Sequence, residues 1–262
     1  MLKAMCGRVD IHTPPSQLAR LLEVQLAAGV NPDGRPSWNV PPARGIPAIT
    51  ERHPHTESGE KSEDHERVLD VLRWGLVPHW AKDPRTGYKM INARAETVTK
   101  KPAYRSAFAN HRCLIVVDGF FEWQVPDPDS PKRKVPFYFR RADGQPLTFA
   151  GLYETWWDKS RSEEPDPETM LRTCTIITTQ AGADMVDVHD RMPVIIERPD
   201  FDRWLDPDQH DTEALAKLLL PAPKGTLVRH PVDKAVNSPR NDGPMIIQHA
   251  PPDDDDELIV PS

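Results

Sequence analysis

No stretch of this 262-residue chain approaches the ~20 consecutive apolar residues that a membrane-crossing helix needs. The start, Met1-Leu2-Lys3-Ala4-Met5, runs into Cys6-Gly7-Arg8 without an apolar leader core, which points to the cytoplasm. Cysteine is scarce. Cys6, Cys113 and Cys174 are odd in number, far apart, and form neither a CxxC pair nor a cysteine–histidine ligand spacing. A disulfide framework, a zinc site and a cofactor are therefore not expected. Cys113 lies in CLIVVDG and Cys174 in CTIITT, apolar strand-like contexts that suit buried core thiols. Cys6 stands in a polar context near the chain start and needs another explanation.

Positive charge is also lacking overall, at a net −7. Its distribution matters more than its total. Residues 57–66 (ESGEKSEDHE), 163–168 (EEPDPE) and 253–257 (DDDDE) carry −4, −4 and −5, and read as solvated loops and a tail. Without them the remainder carries +6, enough for a basic groove.

What the chain has in excess is proline, 29 residues, about twice the usual frequency. That disfavours a helical bundle and suits strands joined by rigid turns. Runs rich in β-branched and aromatic residues recur at 45–51, 67–73, 113–118, 120–125, 135–141, 147–153, 172–179, 193–197 and 226–232. Helical spacing is limited to 16–28, capped by Ser16 and stopped by Gly29, and to 199–205 and 212–220. The loop Trp38-Asn39-Val40-Pro41-Pro42 cannot be helical. Too few helices separate the strands for a parallel βαβ array. The expectation is an α+β fold: one domain over residues 5–248, with a mostly antiparallel, barrel-like β core and a few peripheral helices. An acidic, disordered tail at 249–262 follows.

Four short segments carry chemistry. Cys6-Gly7-Arg8 follows Met5, a methionine that an aminopeptidase removes when a small residue comes next. Residues 91–97 (INARAET) pack an amide, a guanidinium and a carboxylate together. Residues 118–123 (DGFFEW) put a carboxylate among aromatics, where burial raises a carboxyl pKa toward acid–base work. Residues 188–193 (VHDRMP) place an imidazole just before a strand.

In order, MCGR, WNVPPAR, RWGLVPHW, INARAET, DGFFEW, TTQAGADMVDVHDRMP and HPVDKAVN form a set that resembles the SRAP (SOS response-associated peptidase) family of abasic-site-processing proteins. The resemblance implies covalent capture of the ring-opened aldehyde of an abasic site in single-stranded DNA. The α-amine and thiol of an N-terminal Cys6 would close together on one carbon as a thiazolidine. Glu122 and His189 would move protons, and Asn92 would orient the amine or the sugar. Arg8, Arg94 and Arg191 would contact phosphates, Pro42 and Trp74 would wedge or stack against flanking bases, and Thr178 would lie near the lesion. Side activities as an abasic-site lyase and a self-processing thiol peptidase follow from the same groups. Such a protein is expected to be a monomer, cytoplasmic and nucleoid-associated during DNA damage, with single-stranded DNA as partner and no membrane attachment.

The chain departs from that pattern at its start. Met1–Ala4 precede Met5, so either translation begins at Met5 or the extension is cleaved. Two rival readings remain at this point. An amidase or thiol peptidase would use Cys6 as nucleophile with Asn92 at the oxyanion. A non-enzymatic reader of modified bases would need Arg94 and Trp74 but not Cys6.

Overall fold

The computed structural model describes residues 7–54, 62–126, 129–130, 133–158 and 169–250. The expected tail beyond Ala250, the acidic loop at 163–168 and Cys6 itself lie outside them; the first residue of that tail, His249, bridges Val232. The chain opens with β1 (Val9–Ile11), α1 (Pro15–Leu22), β2 (Gln25–Leu26), β3 (Ser37–Val40), β4 (Gly45–Arg52) and β5 (Glu66–Trp74). An irregular excursion leads to β6 (Asn92–Arg94), α2 (Ala95–Val98), α3 (Arg105–Asn110), β7 (Arg112–Val117), β8 (Gly119–Gln124), β9 (Val135–Arg141) and β10 (Leu147–Trp156). Then come β11 (Leu171–Gln180), β12 (Arg191–Pro193), α4 (Phe201–Leu205), α5 (Thr212–Ala216) and β13 (Leu227–Pro231).

Five strands close on themselves. β11 pairs with β10, β10 with β7, β7 with β4, β4 with β5, and β5 returns to β11. All these pairings are antiparallel except the last, a parallel contact of two residue pairs, Thr173 with Arg73 and Cys174 with Trp74. A barrel-like core within one α+β domain is what the strand pattern predicted. A second sheet, in the order β13-β9-β8-β1-β3, lies against it.

β7 shows why the barrel holds. Its sequence, RCLIVV, is buried along its whole length. Alternation sends Cys113, Ile115 and Val117 into a cluster with Ile46, Leu72, Trp74, Phe149 and Ile176. Leu114 and Val116 go into another with Ile49, Leu69, Leu152, Ile177 and Trp204. With both faces covered, the strand has no polar side. Cys113 and Cys174 are buried and free, and burial pushes both thiols up.

Arg112, ahead of that run, donates only to carbonyl oxygens: Phe108 and Ala109 at the end of α3, Trp204 in α4, and Asp206 and Gln209 in the loop beyond. One buried guanidinium thus caps the C-terminal ends of two helices, where backbone carbonyls carry partial negative charge.

Several boundaries differ from the sequence expectation. The helix predicted over 16–28 ends at Leu22, because Glu23 turns left-handed (φ 58) and the Val24 amide bonds back to Ala19. Gln25 and Leu26 then pair with Val68 and Leu69 of β5, so tertiary pairing overrides helical spacing. The strand expected at 193–197 lies at β12, with Ile195 making an isolated bridge to Phe149. The helix expected to reach residue 220 stops at Ala216. The acidic stretch 57–66 is not loop to its end, since Glu66 begins β5 and His65 packs against His53.

Candidate functional site

β11 hands its hydrogen bonds from one partner to the next along its length. Near its start one edge pairs with β5, and further on the same edge pairs with β6, through Ile176 with Asn92, Ile177 with Ala93 and Thr178 with Arg94. On the other edge β10 gives way to β12, where Thr178 meets Pro193 and Gln180 meets Arg191. The second half of β11 is therefore the middle of a three-stranded extension from the barrel. Asn92, Arg94, Thr178 and Arg191 come together on it.

Thr178 is the hub of this extension and is buried, its hydroxyl donating to the Ala93 carbonyl at 3.3 Å. Arg191 donates to the Thr178 carbonyl (2.7 Å) and forks onto both oxygens of Glu96 (2.9 and 3.0 Å). Those bonds hold the Glu96 carboxyl below the ordinary carboxylate range. Arg94 is exposed, and its guanidinium makes no hydrogen bond among the described residues. Of the three arginines expected to meet phosphates, only Arg94 is open to solvent in this state.

Arg8 is bound inward. It donates to Asn39 Oδ1 (2.6 Å) and to the Val236 carbonyl (2.9 Å), and burial lowers its pKa. Asn39 is 1% exposed and donates in turn to carbonyls of Ser238 and Asn241. The Phe121 amide bonds to the Arg8 carbonyl (3.1 Å), which continues the β1–β8 pairing toward Gly7 on one strand and Glu122 on the other. Gly7 is the residue that follows Cys6; Cys6 lies outside the described residues.

Glu122 is 2% exposed on β8. Its two aromatic neighbours do not bury it, contrary to the reading from DGFFEW. Strand alternation turns Phe121 and Trp123 to the opposite face, where they join Tyr138, Val232 and Val236. Glu122 shares its face with Phe120, which stacks on Phe139 and meets Phe149 edge-on. At the end of β8, Gln124 donates to the Asp187 carbonyl (2.9 Å), tying this strand to the segment that carries His189.

His189 is 8% exposed. Its Nδ1 accepts from the Arg191 amide (3.1 Å) and also lies 3.0 Å from an Asp190 carboxylate oxygen. The first contact needs a bare Nδ1 and the second a protonated one, so this nitrogen has a partner with or without its proton.

Trp74 is not the stacking surface expected of it. It is 1% exposed in the core, and its indole Nε1 donates to the Ile91 carbonyl (2.9 Å). Its backbone holds the proline turn: the Ala43 amide donates to the Trp74 carbonyl, and the Trp74 amide to that of Arg44. This keeps Ala43 at φ 67, a left-handed conformation that disfavours residues other than glycine. Trp74 thus links the half-buried Pro42 turn to the strand bearing Asn92. Beside the turn, Arg35, Arg44 and Arg240 line a cavity of about 670 Å³ with Asn39, Pro41 and Asp242.

One hydrophobic cluster underlies these parts. Val9 pairs with Phe120 where β1 meets β8, Ile91 precedes Asn92, Val188 precedes His189, Met192 follows Arg191, and Phe120 shares a face with Glu122; all belong to it or pack on it. The sequence reading missed Asn39, Glu96 as the Arg191 partner, and Arg35 and Arg240. Asn39 and Glu96 stand inside motifs that drew attention, whereas Arg35 and Arg240 stand in none.

The chain resembles known proteins over most of its length. Residues 5–239 match the family described as SOS response associated peptidase (SRAP). The chain is 38% identical over 93% of its length to the abasic site processing protein YoqW of Bacillus subtilis, covering 99% of that protein. It is 32% identical over 92% of its length to the abasic site processing protein HMCES of Xenopus tropicalis, covering 77% of it. A crystal structure of a Bacteroides thetaiotaomicron protein superposes with a TM-score of 0.75 at 24% identity, over 94% of this chain and all of that one. The chain belongs to the SRAP family.

Proposed function

We propose that this protein processes abasic sites in DNA, and that it captures the lesion in single strands covalently through Cys6. The observation that carries the reading is that Asn92, Glu122 and His189 each adjoin residues of one core cluster, and that β1, three residues after Cys6 in sequence, pairs with the strand of Glu122. The names of the relatives support the substrate class.

The chemistry balances without an added reagent. The Cys6 α-amine adds to the C1′ aldehyde of the opened sugar, and the resulting carbinolamine loses water to give an imine. The Cys6 thiol then adds across the carbon–nitrogen double bond, its proton passing to nitrogen. A five-membered thiazolidine results, with no change in oxidation state. Ring closure is intramolecular and gains from effective molarity. An α-amine with a pKa of ~7.7–8.0 keeps a reactive unprotonated fraction, roughly a tenth or more, at neutral pH. Glu122, buried on β8, gives and takes protons at the carbinolamine. His189 shuttles a proton at the sugar or the imine. Asn92 orients the amine. Arg94 meets a phosphate, and Arg191 joins it when a phosphate displaces Glu96. Pro42 wedges beside the lesion, and abasic-site lyase activity is the outcome when the imine eliminates before the thiol closes.

The mechanism requires Cys6 as first residue, because an amide nitrogen cannot form an imine. The intact mass of the active protein is expected to match a chain beginning at Cys6. Incubated with an abasic single-stranded oligonucleotide, that form is expected to give a heat-stable shifted band on a denaturing gel. Cys6→Ala is expected to lose the band, leaving at most strand scission. An equally stable band from Cys6→Ala without a reducing agent would exclude the thiazolidine.

A further inference from the structure

At the end of the β4–β5 ribbon remote from Trp74, His53 and His65 continue the antiparallel register beyond the pair Arg52–Glu66. Their rings meet edge to face with centroids 4.5 Å apart. Asp208, in the loop between α4 and α5, closes the group. His53 Nε2 lies 3.1 Å from both its carboxylate oxygens, and His65 Nε2 lies 3.1 Å from one. The donor atoms of the three residues all fall within 4.8 Å of one another.

The other nitrogen of each ring has a partner of its own. His53 Nδ1 is 2.8 Å from the Ser62 carbonyl, and His65 Nδ1 is 3.2 Å from Glu51 Oε1. Both partners only accept, so each Nδ1 carries a proton. Each Nε2 then either holds a second proton, as an imidazolium paired with Asp208, or turns a lone pair on the point it shares with that carboxylate, where a cation can stand. A histidine that donates one nitrogen to a carbonyl or carboxylate while the other faces a shared point is the arrangement of a metal ligand with its supporting partner. Glu51 is itself fixed, its second oxygen bonded to Arg67 Nε at 2.7 Å. Arg112 holds the Asp208 loop through the Asp206 and Gln209 carbonyls. Ligand bonds of ~2.0–2.2 Å in a tetrahedron place donor atoms about 3.3 Å apart, close to the distances found here.

We propose that His53, His65 and Asp208 bind a first-row divalent cation, zinc by preference, with a fourth position left to water. Such a site would run against the expectation, drawn from cysteine and histidine spacing, of no zinc site. The ion would pin the β4–β5 ribbon to the α4–α5 loop. β5 separates it from the Trp74 end of the barrel by roughly 27–30 Å at ~3.3 Å per residue. Its role is structural and does not rest on the abasic-site reading.

The test is Zn²⁺ titration of the EDTA-stripped full chain by calorimetry, paired with thermal unfolding. Other groups, Cys6 among them, also take zinc, so the diagnostic is the difference between wild type and variants. Wild type is expected to bind one ion that Asp208→Asn and His65→Asn each weaken by at least ~10-fold. Glu51→Gln is expected to weaken it by ~10-fold through the loss of His65 orientation. Zinc is expected to raise the wild-type Tm and leave that of Asp208→Asn unchanged. Circular dichroism confirms that the variants fold, and Asp208, more than half exposed, is the substitution least able to disturb the core. Zinc affinity and Tm shift identical in wild type, Asp208→Asn and His65→Asn overturn the proposal, as does wild type that takes up no zinc; the cluster is then held by protons alone.

Discussion

Two residues separate a structural role from a DNA-contacting one. Trp74 fills the core and donates to Ile91, so Trp74→Ala is expected to cost about 3–5 kcal/mol of folding stability in urea denaturation. Trp74→Phe keeps most of the volume and loses the donor, for about 1 kcal/mol. If Trp74 stacked on bases instead, the alanine variant would keep its stability and lose only DNA affinity. Glu96 gives the complementary case. Arg191 depresses its pKa in the folded state, so the pair stabilises fully above the unfolded value of ~4.3 and loses that stabilisation as pH falls through the lower folded value. The pair is partly exposed and worth at most about 1 kcal/mol. The stability gap between wild type and Glu96→Gln is therefore expected to be flat near neutral pH and to close in acid. The same variant releases Arg191 and is expected to bind single-stranded DNA more tightly. A gap unchanged at about pH 3, or weaker binding, would count against Glu96 as the group that restrains Arg191.

At the scale of elements, β6 holds one exposed arginine, and its contribution can be read from salt dependence. Arg94→Ala is expected to weaken single-strand binding across sequences and to flatten the log–log salt slope by ~0.7 in a fluorescence anisotropy series. An unchanged slope would take Arg94 out of the phosphate contacts. Arg112→Lys probes the joint between α3 and α4. An ammonium cannot serve five carbonyls with a planar fork, and a loss of about 3 kcal/mol or more is expected, measured by thermal or urea unfolding. These elements also mark how far the sequence was legible. The long strands were, because their β-branched runs are written locally; the 135–141 strand matches its expected bounds. β1, β3 and β6 were not, since three or four residues become strand only through partners distant in sequence. The site motifs stood out by residue type, yet the direction of the Glu122 side chain depends on pairing with β1 and β9. The inward binding of Arg8 depends on Asn39 and Val236, which no local pattern joins to it. The His53–His65–Asp208 group escaped for the same reason: its members are scattered, and one lies in a stretch whose acidity suggested solvent.

At the scale of the molecule, the parallel contact between β5 and β11 is only two residue pairs long, and β6 takes over the same edge immediately after. Residues 75–91 leave the sheet between the two. Their neck is drawn closed by the Leu76 amide on the Met90 carbonyl and the Val77 amide on the Thr173 hydroxyl. The strand that carries Asn92 and Arg94 is thus hinged separately from the wall it continues. It can lift from β11 by breaking a few bonds while β4, β5, β7 and β10 keep their ladder. Opening at the edge that bears Asn92 and Arg94 is therefore expected to be a local event, separate from global unfolding. Hydrogen–deuterium exchange is expected to show it: the β6 amides exchange orders of magnitude faster than those of β7, and bound DNA slows them without slowing β7. If a DNA strand crowds this edge, as the proposed function has it, β6 alone has to yield, and the barrel behind it stays fixed.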